Sequence, residues 1–393
     1  MKAFHFKLRR LFAQLIGLVF FVSGTLKLID PVGTELIVSE YLKFFHMNFL
    51  QGGSFFIGAL LSLVEGFVGL ALLTGVFRKV AAYTAGTMIV FFTFVTALLL
   101  IYNPDMDCGC FGKAFALTHF QSFAKNVLLL AMAVIAFLPF KDYGKPAPRK
   151  YVAFGFSAIG MVVALVYCAM YLPLHDHTAF KPGAFVMDAE EAAASAPAPR
   201  YVFEKDGKEK TFDMDDLPDS TWSFVTILEP LPHIRKTEPA VLEFTDSSGE
   251  YCSALAREGG VMVFSAYRPE KLDAKWWEQV AGFRDILLHH SIRPLVLVAG
   301  VPADLPVPAS LQDCVYTADF KTLVTMNRSN GGMTYLYDAS VIRKWARRSP
   351  PDEMDLAVLV SEDPLDVSVS SSTSGRLRIQ GFYLYELIWL LLL

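Results

Sequence analysis

Five separate runs of about 20 apolar residues constrain this chain more than any other feature of its sequence. A helix of that length and composition is what a bilayer requires. Charged residues make up only 19% of the chain, against about 25% in a typical soluble domain. The sequence therefore predicts a polytopic membrane protein in contact with the lipid bilayer, and nothing in its charge points to a nucleic-acid partner. The candidate spans cover residues 11–29, 55–76, 80–102, 123–140 and 151–172.

Basic residues between these runs predict how the helices are oriented. Three clusters precede the first run, separate the second from the third, and separate the fourth from the fifth. They comprise Lys7, Arg9, Arg10, Arg78, Lys79, Lys141, Lys145, Arg149 and Lys150. Because cytoplasmic loops are enriched in Lys and Arg, all three clusters are predicted to be cytoplasmic. We therefore expect a bacterial inner-membrane protein with a cytoplasmic N-terminus and a periplasmic region after about residue 173.

The sequence divides into five parts, of which the one that begins at residue 201 has the pattern of a soluble domain. Apolar segments 260–267 and 294–299 flank a helical pattern, as in a βαβ unit. Segments 333–338 and 341–345 predict a β-hairpin. We assign residues 1–140 to a membrane domain, 141–177 to a cytoplasmic loop and fifth span, 178–200 to a linker, 201–378 to an outer domain with an N-terminal β extension, and 379–393 to an apolar tail.

For each of two short segments the sequence allows two positions relative to the membrane. Residues 34–45 in the first outer loop carry apolar side chains at helical spacing, which predicts an amphipathic helix that either lies on the membrane or caps the bundle. The apolar run at 381–393 is too short to cross a bilayer by itself. It is expected to insert halfway or to pack against the bundle.

Two cysteines separated by one residue, Cys108 and Cys110, follow the third run on the predicted outer side. A disulfide between them would close a small, strained ring, which suits a labile redox pair in an oxidising compartment. Two alternatives stay open. The cysteines could form structural disulfides, or they could supply half of a metal site completed by His119, His175 or His177.

Ionisable and polar residues near these cysteines form the second part of the candidate site. Glu65 falls near the middle of the second run, where a charge is costly and often functional. It could relay protons, or it could be a neutral hydrogen-bonded group that holds helices together. Lys27, Lys125 and Asn126 are predicted at the outer ends of their helices, where an ammonium would favour a thiolate. Lysines at helix ends also extend to the interface as a matter of course.

Several short motifs in the first third of the chain occur together in one known family. They are Gly17 with Phe20, Ser23-Gly-Thr-Leu-Lys-Leu-Ile-Asp-Pro-Val-Gly, Glu65 with Gly69, Arg78, Asp107-Cys-Gly-Cys-Phe-Gly, and Lys125-Asn126. In these features residues 11–140 resemble the MauE/DoxX family of four-helix membrane proteins. Members of that family are associated with disulfide formation in exported proteins or with quinone-linked redox subunits. The resemblance implies a bundle similar to that of the quinone-coupled disulfide oxidases.

The same resemblance raises the question of a quinone site. Tyr102, Phe111 and Phe115 could stack on a quinone ring, although aromatic residues are ordinary at any membrane interface. The quinone-coupled oxidases relay electrons through two cysteine pairs. In this chain only Cys252 and Cys314, in the outer domain, could replace the second pair.

Residues 240–360 resemble a thioredoxin-like domain in their strand, helix, strand and hairpin order. A redox thioredoxin has Cys-x-x-Cys after its first core strand, where the helix N-terminus lowers the thiol pKa. This chain has Ser265-Ala-Tyr-Arg-Pro there, and Gly331 or Gly332 where a cis-proline is expected. The resemblance therefore implies the fold without its usual chemistry. The whole arrangement is similar to DoxX-family proteins of Bacteroidota with a fused outer domain.

These observations lead to two hypotheses of different classes. In the first, the chain is an inner-membrane thiol–disulfide oxidoreductase whose Cys108 and Cys110 pass electrons from a periplasmic dithiol to quinone, with Glu65 among the catalytic residues. In the second, it is a non-catalytic scaffold or assembly subunit whose thioredoxin-like domain binds a periplasmic partner. The missing thioredoxin cysteines favour the scaffold, and the labile Cys-Gly-Cys motif favours the enzyme.

Overall fold

In a computed structural model, the chain folds into two compact units. The first unit comprises Met1–His177, Asn327–Met333 and Arg343–Leu393, and the second comprises Thr178–Met326 and Thr334–Ile342. The described residues are 2–113, 117–138, 146–194, 200–205, 208–212, 217–228, 239–300, 305 and 307–391.

Helices dominate the first unit. Five of its described helices are long and apolar enough to cross a membrane, which confirms the prediction of five spans. The short helix α2 lies between the first two of them. The helices are α1 (Lys2–Leu28), α2 (Pro31–Phe44), α3 (Ser54–Thr74), α4 (Arg78–Tyr102), α5 (His119–Phe137) and α6 (Pro148–Met170), with the short strand β1 (Cys110–Lys113) between α4 and α5.

Helices α1 and α3 approach each other closely because glycines face each other across their contact. A Cβ atom on Gly24 would lie 2.4 Å from the Gly66 nitrogen, and one on Gly69 would lie 2.2 Å from the Phe21 nitrogen. Small residues allow helix backbones to meet in this way inside a membrane. The close contact brings the C-terminal half of α1 directly beside the middle of α3.

Helix α2 packs onto the bundle. Its N-cap is Asp30, whose carboxylate accepts a hydrogen bond from the Gly33 nitrogen at 2.9 Å. The side chains of Thr34, Glu35 and Ile37 are buried, and Glu35 accepts a hydrogen bond from Ser54 at the start of α3. The amphipathic helix predicted over residues 34–45 therefore exists, and it takes the capping position.

Two short segments from later in the chain group with the first unit, and each carries an ion pair to it, one buried and one partly buried. Arg328 and Asp30 are joined at 2.9 Å, and Lys344 and Asp176 at 2.6 Å. Residues 327–333 and 343–378, assigned from the sequence to the outer domain, thus group with the membrane helices. The sequence pattern could not reveal this because each pair joins residues more than a hundred positions apart.

The C-terminal helix differs from the predicted short tail. It is a continuous helix, α11 (Pro364–Leu391), whose polar first half precedes the apolar run. Hydropathy located only the apolar second half of this helix. The helix itself extends further towards the N-terminus, because helical backbone hydrogen bonds form through polar residues as well. Arg378 reaches Tyr167, and Trp389 stacks on Phe156 at a centroid distance of 4.3 Å, so α11 runs antiparallel to α6. Of the two predicted placements, packing against the bundle is the one observed.

A six-stranded mixed sheet forms the core of the later half of the chain. Strands β8 and β9 are parallel and separated by α8, which confirms the predicted βαβ unit. Both strands are almost wholly buried, as parallel strands covered on both faces are. The sheet has the order β12-β11-β8-β9-β10-β7. Its elements are β7 (Phe244–Thr245), β8 (Gly260–Ala266), α8 (Ala274–His289), β9 (Arg293–Val298), β10 (Val315–Ala318), α9 (Phe320–Met326), β11 (Gly332–Tyr337), β12 (Ser340–Trp345) and α10 (Glu353–Ser361).

The predicted hairpin over residues 333–345 is confirmed. Asp338 and Ala339 join its two strands and have φ values of 44° and 61°. Two left-handed residues in succession are typical of the tight turn that suits the strand twist. Smaller sheets lie upstream. They contain β2 (Val186–Met187) paired with β6 (Ala240–Val241), and β3 (Arg200–Lys205) paired with both β4 (Lys208–Phe212) and β5 (Ser223–Leu228), with α7 (Ala189–Ala194) following β2.

Candidate functional site

Helices α1 to α5 and the loop after α4 surround a cavity of about 460 Å³. This volume is within the range of roughly 300–1,000 Å³ typical of small-molecule sites. Most of the wall is apolar, and a few polar side chains face the cavity together. These are Ser23, Lys27, Thr34, Tyr41, Glu65, Thr96, Cys108, Cys110, Lys125 and Asn126. The structure therefore brings six of the sequence-predicted site residues to one cavity: Lys27, Glu65, Cys108, Cys110, Lys125 and Asn126.

The Cys-Gly-Cys loop is shaped by its central glycine. Gly109 has a φ of 62°. A Cβ atom there would lie 2.4 Å from the Ile37 side chain, so only glycine fits without a shift. Hydrogen bonds hold the loop on both sides of this residue. The Tyr41 hydroxyl donates to the Cys108 carbonyl at 2.8 Å, and the Ser23 hydroxyl lies 2.6 Å from the Cys110 carbonyl.

The Cys108 thiol contacts an imidazole. Its Sγ lies 2.9 Å from Nδ1 of His119, while Nε2 of the same ring lies 3.0 Å from the Pro104 carbonyl oxygen. A carbonyl only accepts hydrogen bonds, so Nε2 carries the hydrogen. In the neutral ring Nδ1 is then the acceptor for the thiol proton. Burial raises the pKa of the Cys108 thiol, which favours this neutral pair.

Local structure places His119 at this point. Thr118 is the N-cap of α5, and its hydroxyl accepts from the Gln121 nitrogen at 3.0 Å. The Gln121 side chain accepts in turn from the Thr118 nitrogen at 3.1 Å, which completes a capping box. His119 is therefore the first residue of a fixed helix. The sequence analysis considered it only as a metal ligand, although a histidine at the start of the helix after a two-cysteine loop was available as a signal.

A buried ion pair joins α1 to α3 inside the cavity. Nζ of Lys27 lies 2.7 and 2.8 Å from the two carboxylate oxygens of Glu65. Lys27 is only 7% exposed and Glu65 only 2%. Lys27 therefore points into the bundle and does not extend to the interface. The sequence left open that Glu65 holds helices together through a hydrogen bond. The Ser23 hydroxyl does lie 3.0 Å from the Glu65 carboxylate. The closest partner of Glu65, however, is the Lys27 ammonium.

The Ser23 hydroxyl links the ion pair to the cysteine loop. It has one proton and lies within hydrogen-bond distance of two acceptors, Glu65 and the Cys110 carbonyl. The Ser23 side chain therefore connects the Lys27–Glu65 ion pair to the backbone of the cysteine loop.

Lys125 and Asn126 lie in the first half of α5 on the cavity wall. The Lys125 ammonium is half-buried and lies 5.0 Å from the centroid of the Phe111 ring. The Asn126 amide donates to the Phe92 carbonyl and to the Thr96 hydroxyl, both at 3.2 Å. Asn126 therefore holds α5 against α4, and Lys125 brings a positive charge towards the thiols.

Two of the aromatic residues singled out in the sequence, Tyr102 and Phe111, do not line this cavity. Tyr102 is exposed and makes an edge contact with Phe44. Phe111 packs beside Leu26 and Ile29. Phe115 lies outside the described residues. Position along the chain did not predict the cavity wall, because the rotation of each helix decides which side faces inward. The aromatic residues of the wall are Phe20, Tyr41, Phe45, Phe91 and Phe92.

All five cysteines are present as free thiols, so no disulfide joins Cys108 to Cys110 or Cys252 to Cys314. Burial raises the pKa of Cys314 to about 11, and its thiol donates to the Leu311 carbonyl at 3.2 Å. In the part of the chain that the structure describes, no three His, Cys, Asp or Glu side chains form a group that could hold a metal ion.

Two family models match parts of this chain. The one described as methylamine utilisation protein MauE covers residues 7–139, and a domain of unknown function, DUF8463, covers residues 198–226. No curated protein and no solved structure matches. Neither family model covers the six-stranded sheet, so its thioredoxin-like character stays a prediction. The multi-pass region that forms the cavity, including both cysteines, is similar to the MauE family of membrane proteins.

Proposed function

We propose that this chain is a membrane thiol–disulfide oxidoreductase in which Cys108 and Cys110 pass electrons from a client dithiol to a quinone in the cavity. The observation that carries the proposal is the convergence of two thiols and a buried ion pair at one apolar cavity, with an imidazole in contact with one of the thiols. The basic residues lie at the other end of the helices, so we place the cysteines on the periplasmic side of a bacterial inner membrane.

The cavity wall fits the chemistry of a quinone. Phe91 and Phe92 supply aromatic surface, and the remaining apolar residues suit an isoprenoid chain. The ammonium groups of Lys27 and Lys125 are the donors that could hold a ring carbonyl. A bound quinone would supply an acceptor for two electrons and two protons and would leave as the quinol.

Exposure assigns different roles to the two thiols. Cys108 is only 6% exposed, whereas Cys110 is half-buried and therefore easier for a client to reach. A client thiolate would attack the Cys110 sulfur of the oxidised pair, which forms a mixed disulfide and breaks the Cys108–Cys110 bond. The second client thiol would then displace Cys110. The client leaves with a new disulfide, and the chain is left with two thiols.

Reoxidation requires the two thiols to lose two protons and two electrons as the S–S bond forms. Because burial raises the pKa of the Cys108 thiol, few thiolates form without a base. His119 is placed to take that proton at Nδ1, while its Nε2–H stays on the Pro104 carbonyl. Glu65, joined to the loop through Ser23, is the second group that can exchange a proton at this site.

A scaffold or assembly function is the second candidate. Residues Ser265 to Pro269, at the end of β8 and in the turn after it, include no thiol, and Cys314 is buried with a raised pKa. These facts favour a sheet domain that binds a periplasmic partner without exchanging electrons. In that case the Cys-Gly-Cys loop would only support the bundle.

Thiol accounting in membranes tests the proposal. The full-length protein would be labelled by mass-shift alkylation in quinone-replete and quinone-depleted membranes. We expect the Cys108–Cys110 pair to be oxidised only when quinone is present, and His119→Ala to slow reoxidation. Cys108→Ser identifies the shifted species. A pair that stays reduced, or stays oxidised whatever the quinone supply, would rule out the redox function and leave the scaffold.

A control variant addresses the missing second cysteine pair. In Cys252→Ser/Cys314→Ser the outer domain has no thiol. Retained client oxidation would show that electrons do not pass through these residues, as the buried Cys314 leads us to expect. Loss of client oxidation together with normal quinone-dependent oxidation of Cys108 and Cys110 would instead make the outer cysteines the relay.

A further inference from the structure

A second cavity, of about 130 Å³, lies at the end of the bundle opposite the cysteines. Four cationic side chains line it: Arg9 and Arg10 from α1, Arg78 from α4 and Lys150 from α6. Among the described residues of its wall, none is acidic. We propose that this cavity binds a phosphate group, such as that of an anionic membrane lipid.

Two of the cations are held in place by helix ends. Arg9 donates to the Ala136 carbonyl near the end of α5 through Nε and Nη2, at 3.2 and 3.1 Å. Arg78 donates through Nε to the Gly75 carbonyl just after α3, at 3.0 Å. Carbonyls in the last turn of a helix have no partner within that helix, so a guanidinium is a natural partner for them. The result is a rim of positive charge with a defined geometry.

Four helix ends meet at this cavity. The C-termini of α3 and α5 contribute carbonyl groups, and Arg78 and Arg9 donate hydrogen bonds to carbonyls at these two ends. Helix α4 begins at Arg78 and α6 begins at Pro148, so two helix N-termini also lie at this end. Helix N-termini attract anions, and phosphate groups in particular. Basic pockets between membrane helices on the cytoplasmic side are typical sites for anionic lipid headgroups.

Basic residues are common at the cytoplasmic ends of membrane helices, so a cluster of them is not by itself evidence of a binding site. The cations that line the cavity are therefore compared with the basic residues next to them in the chain. Lys79 and Arg149 follow or precede cavity residues directly in the chain, yet both are exposed and neither lines the cavity. Arg9, Arg78 and Lys150 are half-buried and line the cavity, and Arg10 lines it from an exposed position. The site therefore differs from the general charge of this face, and the chain supplies its own control positions.

The test compares two double variants with the same change of charge. Full-length protein in phosphatidylcholine nanodiscs would be titrated with phosphatidylglycerol, and binding followed by the increase in melting temperature. Each cation near an anionic lipid contributes about 1 kcal/mol, so Arg10→Gln/Lys150→Gln should weaken apparent lipid binding about 30-fold. Lys79→Gln/Arg149→Gln should leave it within about threefold of wild type.

Two further arms make the result decisive. Inorganic phosphate added to phosphatidylcholine nanodiscs distinguishes a free anion from a lipid: stabilisation that Arg10→Gln/Lys150→Gln abolishes identifies phosphate itself as a sufficient ligand. If both double variants lose lipid binding equally, or if neither ligand stabilises the wild type, the proposal is overturned. Should Arg10→Gln/Lys150→Gln fail to fold, Lys150→Gln alone would be compared with Arg149→Gln by native mass spectrometry of retained phosphatidylglycerol, with the same two outcomes.

Discussion

Removing the Lys27 ammonium should destabilise the bundle by about 3 kcal/mol, the lower part of the range of about 3–5 kcal/mol for breaking a buried ion pair. Lys27→Met keeps the length and apolar stem of the side chain but leaves Glu65 without its cation. Both carboxylate oxygens lose their contacts at 2.7 and 2.8 Å. The Ser23 hydroxyl still lies 3.0 Å away, and a hydrogen bond to a charged group offsets part of the loss.

Unfolding of the purified protein in mixed micelles, with a denaturing detergent as titrant, measures this loss as a free energy. The experiment is a double-mutant cycle of Lys27→Met, Glu65→Gln and the double variant Lys27→Met/Glu65→Gln. In the double variant neither side chain of the pair is charged, and the amide can still form a hydrogen bond with Ser23. We expect the double variant to be more stable than Lys27→Met alone, because the cost lies in the unpaired carboxylate. Glu65→Gln alone should be destabilising, since it leaves the Lys27 ammonium buried.

Lys125→Met is the matched control for this cycle. Lys125 lines the same cavity but is half-buried and contacts only an aromatic face, at 5.0 Å from the Phe111 centroid, among its described interactions. An interaction of this kind contributes about 0.5–1 kcal/mol. The reasoning fails if Lys27→Met costs no more than Lys125→Met, or if Glu65→Gln destabilises the wild type and Lys27→Met by the same amount.

Two further predictions concern the thiols. Gly109→Ala should abolish oxidation of the Cys108–Cys110 pair, because the added Cβ atom would lie 2.4 Å from the Ile37 side chain. Gly112→Ala is the control and should retain oxidation, because Gly112 has a similar φ of 61° but its nearest neighbour lies at 3.7 Å. Equal effects of the two variants in an alkylation assay would contradict the steric argument. Burial raises the pKa of Cys108, and it raises the pKa of Cys314 to about 11. The alkylation rates of both thiols should therefore keep rising as the pH passes the pKa of a free thiol, about 8.5. A rate that reaches a plateau below pH 8 in a stopped alkylation series would show that the thiol concerned is a thiolate at neutral pH.

The number of membrane spans and the main elements of the sheet could be read from the sequence because each depends on a local pattern. An apolar run of sufficient length determines a span wherever the rest of the chain lies. The βαβ unit and the hairpin followed from apolar segments and the residues between them in the same way. The position of Cys108 and Cys110 just after a span was equally a property of the linear chain.

The contacts inside the site could not be derived in this way. Lys27 and Glu65 meet because glycines let α1 and α3 approach, and His119 meets Cys108 because a capped helix starts beside the loop. The residues that line the cavity depend on the rotation of each helix, and this rotation leaves Tyr102 exposed and outside the wall.

Composition and periodicity thus determined that this chain enters a membrane and carries a two-cysteine loop beyond its third span. Only the tertiary structure decided that the loop faces a cavity, which lysine pairs with the buried glutamate, and that a long C-terminal helix packs along α6. The physical reason is that insertion depends on the transfer free energy of consecutive residues. Side-chain pairing, in contrast, depends on helix packing between residues far apart in the chain.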